Sequence, residues 1–273
     1  MLSVFRMSEY QGELSVAVRA ARAAGEIVRS IYEGRIESWE KSRGDPVTHA
    51  DLEANAKIHS IIRENFPDDG WLSEETADSQ ERLAKRRVWI VDPLDGTREF
   101  IQKIPEFCVC IALAVDGRAV VGTSYNPASD ELFGGVVGSG ATYNGELVRV
   151  SAVADLLKAR ILASRSEDKR GEWDAYKDSL QVVLTGSVAY KLALISAGRG
   201  DATFSLTPKN EWDVCAGTAL IEAAGGRVVG LDGQPLKFNR SSTKLSGLIA
   251  SNGVLHGPLQ RLISETTTAV DSQ

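Results

Sequence analysis

The chain has 273 residues, a formal net charge of −6, and hydrophobic and charged shares of 43% and 25%. These shares are typical of a folded globular protein and exclude a disordered or fibrous chain. The acidic balance argues against binding to a nucleic acid polymer, because such binding depends on clustered Lys and Arg. No apolar run approaches the roughly 20 residues that span a bilayer, and three cysteines without a CxxC pair indicate a reduced, cytoplasmic protein.

Residues 1–150 have the pattern of two helices followed by an antiparallel sheet. The pattern predicts a helix over about 8–33 and a second, amphipathic helix over about 49–65. Strand-like runs follow at 88–91, 107–115, 119–125, 131–137 and 147–150. Two pairs, Asp116-Gly117 and Asn144-Gly145, are typical of the turns that join neighbouring strands.

Residues 151–273 alternate between strands and helices. The predicted strands lie at 161–163, 202–204 and 248–250, and the predicted helices at 187–197 and 214–224. Such alternation predicts a layered α/β half. No internal repeat or long linker separates the two halves, so we expect them to pack tightly as an α/β protein.

The segment that follows the predicted strand 88–91 carries two carboxylates, Asp92 and Asp95, and then Gly96 and Thr97. Carboxylates at the end of a buried strand can be held rigidly around a metal ion, and hard oxygen ligands suit Mg²⁺ better than zinc. The backbone N–H groups of Gly96 and Thr97 would seat a phosphate where a helix begins. The alternative is an Asp-Pro turn in which Asp95 caps that helix. The buried strand before the motif favours the functional interpretation.

Three further acidic segments each have an ordinary structural explanation. Glu74 and Glu75 are adjacent acids in a loop, which usually means solvated surface. Asp213 stands where a helix begins and is typical of a cap. Thr48 and Asp51 have nearly the spacing of a capping box. Taken together with the first motif, the four segments indicate one shared site.

The four segments resemble, in order, the motifs of the inositol monophosphatase superfamily. They read Asp-Pro-Val-Thr-x-Ala-Asp, Ser-Glu-Glu-Thr, Asp-Pro-Leu-Asp-Gly-Thr and Trp-Asp, and the resemblance runs from about Ala17 to Gly253. It implies an αβαβα sandwich, of which residues 1–150 carry most metal ligands and residues 151–273 carry Asp213 and the substrate-contacting loops. It also implies two or three Mg²⁺ ions, a small phosphorylated metabolite as substrate, and a homodimer.

The resemblance assigns roles to particular positions. The implied metal ligands are Glu74, Asp92, the carbonyl of Leu94, Asp95 and Asp213. The implied catalytic residues are Asp51, Thr97 and Glu74, and Gly96 and Thr97 would hold the phosphate. Two cations roughly 3.5–4 Å apart can clamp the attacking and leaving oxygens of an in-line displacement. We therefore expect direct attack by water, oriented by Asp51 and Thr97, without a phosphorylated enzyme.

Details of the sequence favour one branch of the superfamily. The run Arg98-Glu99-Phe100 after the Asp-Gly-Thr motif, and Pro-x-Asn-x-Trp-Asp ending at Asp213, resemble bacterial 3′(2′),5′-bisphosphate nucleotidases. Leu206 stands where inositol phosphatases commonly have an acid. The resemblance implies 3′-phosphoadenosine 5′-phosphate as substrate and AMP as product.

Three basic residues, Arg98, Arg165 and Lys209, are candidates for binding the second phosphate of that substrate, or they are solvated surface charges. An inositol phosphate or a sugar bisphosphate is the alternative substrate.

Two rival classes have specific difficulties. A haloacid-dehalogenase-type phosphatase also has an Asp-Gly-Thr, but its two acids are separated by one residue, whereas Asp92 and Asp95 are separated by two. A non-catalytic metal-dependent binding protein would have no chemical need to keep the complete acidic set.

Overall fold

A computed structural model describes residues 9–42 and 44–270. Its helices are α1 (Gln11–Glu33), α2 (His49–Asn65), α3 (Thr97–Ile101), α4 (Arg165–Lys169), α5 (Val188–Ser196), α6 (Glu211–Ala223) and α7 (His256–Val270). Its strands are β1 (Ser38–Ser42), β2 (Asp45–Thr48), β3 (Gly70–Ser73), β4 (Arg87–Asp95), β5 (Cys108–Val115), β6 (Arg118–Asn126), β7 (Glu131–Val136), β8 (Gly140–Tyr143), β9 (Glu146–Val148), β10 (Arg160–Ala163), β11 (Gln181–Leu184), β12 (Ala202–Ser205), β13 (Lys209–Asn210), β14 (Arg227–Val229), β15 (Lys244–Leu245) and β16 (Leu248–Ser251). Among the described residues, no helix has the length and apolar character needed to cross a membrane.

Strands β3 to β9 form a seven-stranded sheet in chain order, in which only β3 and β4 are a parallel pair. Both helices and all five strands predicted for residues 1–150 are present, although Ser8 of the first predicted helix lies outside the described residues. Strand β5 is buried at every position, which explains its unbroken apolar run, because both faces of the sheet are covered. Strands β1, β2, β3 and β8 were not predicted, since runs of four or five residues show little periodicity.

A second, five-stranded sheet has the order β11-β10-β12-β16-β14. Strand β10 is parallel to β11 and β12, whereas β16 is antiparallel to β12 and β14, so this sheet is mixed. The strands and helices predicted for residues 151–273 are present, and α4, α7, β11, β13, β14 and β15 are additional.

The chain forms five layers: α1 with α2, the seven-stranded sheet, α5 with α6, the five-stranded sheet, and α7. Three hydrophobic clusters lie between them, and the middle cluster reaches both sheets. Helices α1 and α2 cover one face of the seven-stranded sheet through a cluster that contains Trp89. Helices α5 and α6 lie between the two sheets, in a cluster that contains Ile90 and Ala250. Helix α7 covers the outer face of the five-stranded sheet, where Ile249 and Leu259 share the third cluster. The predicted αβαβα sandwich is therefore confirmed. The division at residue 150 stays a prediction, because the middle cluster contains side chains from both sides of it.

Close contact between α6 and β6 depends on Gly122. A Cβ atom added at this position would lie 2.2 Å from the carbonyl oxygen of Ala216 and 3.0 Å from the Cβ of Ala219. The first contact is with helix backbone, which cannot move aside as a flexible side chain could. Gly122 therefore sets how closely α6, whose first turn carries Asp213, approaches the sheet.

We expect Gly122→Ala to lower the free energy of unfolding by about 1–3 kcal/mol, because it overpacks the contact between α6 and β6. Urea unfolding measures this change as a lower midpoint. The matched control is Gly12→Ala on α1, where no atom of the described residues lies within 4 Å of the added Cβ. Its effect should stay below about 1 kcal/mol. Equal midpoints for the two variants would contradict the packing argument.

Candidate active site

The end of strand β4 places two carboxylates on one face of the sheet. Asp92 lies opposite Cys110 and Asp95 opposite Cys108, so three steps along β4 match two along β5 and the register shifts. Opposed residues of antiparallel strands point to the same face. Both carboxylates therefore leave the sheet on the side of α5 and α6, where the two thiols lie 3.4 Å apart.

Three predicted metal ligands meet here from different parts of the chain. Carboxylate oxygens of Glu74, which follows β3, of Asp92, and of Asp213, in the first turn of α6, all lie within 4.8 Å of one another. The Oδ1 atom of Asp92 accepts a hydrogen bond from the Leu94 N–H at 3.0 Å, but its buried Oδ2 has no hydrogen-bond partner among the described residues. Buried carboxylate oxygens normally have a donor. An oxygen without one, among other acids, fits a Mg²⁺ ion.

The mutual repulsion of these buried carboxylates also favours a bound cation. Burial raises the pKa of Asp92 well above its ordinary value, and the charges of Glu74, Asp95 and Asp213 raise it further. Burial, followed by the charges of Asp95 and Glu74, does the same for Asp213. A bound divalent cation would lower the pKa of both carboxyl groups, because its positive charge favours their ionised forms.

Asp95 follows Asp92 on β4, but its carboxylate is bound by groups where α5 begins. Its Oδ2 atom accepts hydrogen bonds from the Ser187 hydroxyl and from the Ala189 N–H at 2.6 Å, both where α5 begins. Ser187 was not among the predicted site residues. The only sequence signal for it is that serine is a common residue where a helix begins. Metal binding by Asp95 stays a prediction.

Asp51 combines the capping role and the contact that the resemblance implied. Its Oδ2 atom accepts hydrogen bonds from the N–H and the hydroxyl of Thr48, at 2.7 and 2.6 Å, which completes the capping box of α2. Its Oδ1 atom lies 3.1 Å from the Thr97 hydroxyl, and the Leu94 carbonyl oxygen lies at the same distance from that hydroxyl. Burial raises the pKa of Asp51.

A cleft of about 320 Å³ lies at this site, and neither Asp51 nor Asp92 is among its lining residues. Gly96 lines it with a left-handed φ of 95°, and an added Cβ would lie 2.9 Å from the Glu106 carbonyl oxygen. Glycine therefore suits this position for both its backbone conformation and its lack of a side chain. Of the predicted ligands and phosphate-binding residues, Glu74, Leu94, Asp95, Gly96, Thr97 and Asp213 line the cleft.

The three predicted basic residues are placed differently. Arg98 and Lys209 line the cleft, whereas Arg165 is not among its lining residues. Arg98 donates a hydrogen bond to the Gly44 carbonyl. Lys209 lies 2.8 Å from a carboxylate oxygen of the buried Glu167. Arg165 donates two hydrogen bonds from one nitrogen to Glu106, at 2.6 and 2.7 Å. Substrate binding by these residues stays a prediction.

Sequence reasoning also missed a cation beside Glu74. The Lys41 ammonium of strand β1 lies 2.9 Å from Glu74 Oε1 and 2.6 Å from Glu75 Oε1. The two acids are thus not the freely solvated loop charges that their adjacency suggests. No local pattern marks Lys41, because 33 residues separate it from Glu74.

Comparison with known proteins agrees with the fold and the site. The model of the inositol monophosphatase family matches residues 9–268. The chain therefore belongs to this family, whose members are metal-dependent phosphatases.

Relatives with three different names are similarly close to this chain. It is 36% identical to inositol monophosphatase 3 of Solanum lycopersicum over 227 residues, which are 79% of this chain and 84% of that protein. It is 36% identical to the Nus factor SuhB of Haemophilus influenzae over 230 residues, which are 80% of this chain and 85% of that protein. The crystal structure of CysQ from Bacteroides thetaiotaomicron is 31% identical, has a TM-score of 0.76, and covers 90% of this chain and 98% of its own. Overall identity therefore does not select one substrate.

Proposed function

We propose that this protein is a Mg²⁺-dependent phosphomonoesterase that hydrolyses 3′-phosphoadenosine 5′-phosphate to AMP. The observation that carries the phosphatase proposal is the group of Glu74, Asp92 and Asp213, in which the buried Asp92 Oδ2 has no hydrogen-bond partner in the part of the chain that the structure describes. Together with Asp95 and the Leu94 carbonyl, these carboxylates would hold two or three Mg²⁺ ions. When bound, Mg²⁺ supplies positive charge against the phosphate and lowers the pKa of water.

The chain's own residues supply positioning and proton transfer in this proposal. The Thr97 hydroxyl lies 3.1 Å from Asp51 Oδ1, so the pair can orient a water and accept its proton as the water attacks phosphorus. The new P–O bond forms as the ester P–O bond breaks, and the leaving oxygen takes a proton from water. The N–H groups of Gly96 and Thr97 are the candidates for holding the phosphate oxygens.

The nucleotide is favoured by the charges at the cleft. Arg98 and Lys209 line it, and Leu206 stands at the position that the resemblance assigns to an acid in inositol phosphatases. The neutralising partner of Lys209 is Glu167, whereas the described partner of Arg98 is a backbone carbonyl, that of Gly44. Arg98 is therefore the better placed of the two for exchanging its partner for a second phosphate.

The test is Mg²⁺-dependent phosphate release from 3′-phosphoadenosine 5′-phosphate, inositol 1-phosphate, fructose 1,6-bisphosphate and AMP. We expect preference for the bisphosphorylated nucleotide. Arg98→Met should lower kcat/KM for it by about 10–100-fold, as loss of a charged hydrogen bond does, and leave inositol 1-phosphate within about threefold. Lys177→Met, at an exposed lysine that is not among the cleft's lining residues, is the control. Preference for inositol 1-phosphate or fructose 1,6-bisphosphate would replace the nucleotide and keep the phosphatase.

A metal-dependent binding role is the second candidate, because one relative is named a Nus factor. Mg²⁺ binding without phosphate release from any of the four substrates would favour it. We further propose a cytoplasmic homodimer that binds no nucleic acid polymer and has no membrane span. The three free cysteines, all buried, support a reducing compartment, and the net charge of −6 disfavours nucleic acid.

A further inference from the structure

The candidate ligand Asp95 is fixed by the beginning of α5 rather than by its own strand. Its Oδ2 atom accepts one hydrogen bond from the Ser187 hydroxyl and one from the Ala189 N–H, at 2.6 Å. A carboxylate has about four acceptor positions, two on each oxygen. Both positions on Oδ2 are therefore occupied by the protein, and Oδ1 is the oxygen that is available to a cation.

The Ser187 hydroxyl has neighbours besides Asp95. The Ser187 oxygen accepts a hydrogen bond from the Tyr190 N–H at 2.9 Å, which caps α5. The Ser187 oxygen also lies 3.6 Å from the Cys108 thiol, a weaker hydrogen-bonding group. Because an ionised carboxylate can only accept, the single Ser187 proton is donated to Asp95. Ser187 thus links the first turn of α5 to the carboxylate by a donor whose orientation is fixed at both ends.

The backbone at Ser187 is in a conformation that serine rarely adopts. Its φ is 58° and its ψ is 128°, and glycine is the residue that reaches positive φ without steric cost. Its Cβ also packs close to Gly96, where an added Cβ would lie 3.1 Å from it. Backbone conformation alone would favour glycine here, so the hydroxyl is the feature that requires serine.

We propose that Ser187 is a positioning residue that orients Asp95 for the bound cation, and so tunes the affinity of the site for Mg²⁺. This inference rests on the proposed metal site but not on the substrate. It assigns to α5, in the layer between the sheets, a role in holding a ligand that is contributed by β4, 92 residues earlier in the chain.

Three substitutions of Ser187 distinguish its proposed effect on the orientation of Asp95 from its effect on the stability of the fold. Ser187→Ala removes the hydroxyl and keeps the unfavourable φ. Ser187→Gly removes the hydroxyl and relieves the φ. Ser187→Thr keeps a hydroxyl. Mg²⁺ affinity is measured by isothermal titration calorimetry on the substrate-free protein, and stability by urea unfolding in EDTA.

We expect Ser187→Ala and Ser187→Gly to bind Mg²⁺ about 10–100-fold more weakly than the wild type, as loss of a group that orients a metal ligand typically does. Ser187→Thr should stay within about threefold. In EDTA, Ser187→Gly should be at least as stable as Ser187→Ala, so affinity and stability should change independently. Saturating Mg²⁺ should restore most of kcat in both variants.

Two results with the variants would overturn the inference on its own. One is Mg²⁺ affinity within twofold of the wild type in Ser187→Ala; the other is affinity that follows the stability in EDTA across the three variants. Failure of the proposed function is distinguishable, because the wild-type protein itself would then release no phosphate or bind no Mg²⁺. A wild type that binds no Mg²⁺ overturns the metal site and this inference together.

Discussion

Replacing Asp92 with asparagine should abolish Mg²⁺ binding at the candidate site and reduce phosphate release by more than about 100-fold. Loss of a residue that merely supports a metal ligand typically costs about 10–100-fold in affinity or activity, and Asp92 is a candidate ligand itself. Its Oδ2 atom is buried, has no hydrogen-bond partner within residues 9–42 and 44–270, and belongs to the carboxylate that lies beside those of Glu74 and Asp213. Calorimetric Mg²⁺ titration and phosphate release measure the two effects.

The same substitution should have the opposite effect on the metal-free fold. Burial, followed by the charges of Glu74, Asp95 and Asp213, raises the pKa of Asp92 well above its ordinary value. The folded protein therefore holds a proton that the unfolded chain releases above about pH 3.9. Stability falls as the pH rises from there through the pKa of the folded state.

Asp92→Asn removes this loss of stability, so in EDTA its free energy of unfolding should fall less steeply with pH than that of the wild type. Urea unfolding at several pH values measures the difference. The control is Asp116→Asn, in an exposed turn at the opposite end of β5, where a φ of 50° also suits asparagine. Full activity in Asp92→Asn, or a pH dependence unchanged from the wild type, would contradict the assignment.

The parts of the site that could be predicted are those whose local structure depends on residues nearby in the sequence. Asp92 and Asp95 directly follow the predicted strand 88–91, whose apolar run is visible in the sequence. The helix beside Asp213 is visible as the apolar run 214–224, which Gly225 and Gly226 close. Thr48 and Asp51, which form the capping box, are only three positions apart. In each case the neighbours that determine the local structure are also neighbours in sequence, so pattern and geometry agree.

The contacts that orient these groups could not be predicted in the same way. Thr97 reaches Asp51 across 46 residues, and Ser187 reaches Asp95 across 92. Such pairs depend on how the layers pack, which hydrophobic periodicity does not specify. The resemblance supplied the first pair, whereas no residue pattern supplied the second.

The basic residues illustrate a different limit of sequence reasoning. Arg165 and Glu106 are 59 residues apart and meet as an ion pair with two bonds from one guanidinium nitrogen. From the sequence, a lone arginine is equally compatible with a substrate contact, a surface charge or such a pair. Only the packed structure distinguishes the arginine that lines the cleft, Arg98, from the arginine that does not.

Thr97→Val should lower kcat by about 10²–10⁴-fold while leaving Mg²⁺ affinity within about threefold. The substitution keeps the volume of the side chain but removes the hydroxyl that lies 3.1 Å from Asp51 Oδ1. A positioned general base contributes about 10²–10⁴-fold to a rate, and without the hydroxyl Asp51 has no group through which to orient the water. Single-turnover phosphate release at saturating Mg²⁺ measures the effect on the chemical step.

Two companion variants decide whether the hydroxyl or the packing matters. Thr97→Ser keeps the hydroxyl and should remain within about tenfold of the wild-type kcat. Thr218→Val removes a buried threonine hydroxyl from α6, which donates a hydrogen bond to the Val214 carbonyl at 3.0 Å, and should leave kcat within about threefold. If Thr97→Val released phosphate as fast as Thr218→Val, Asp51 would be a helix cap alone, and the base that activates water would have to be sought among the carboxylates of the metal site. If only Thr97→Val were slow, with unchanged Mg²⁺ affinity, the hydroxyl would act on the water rather than on the metal.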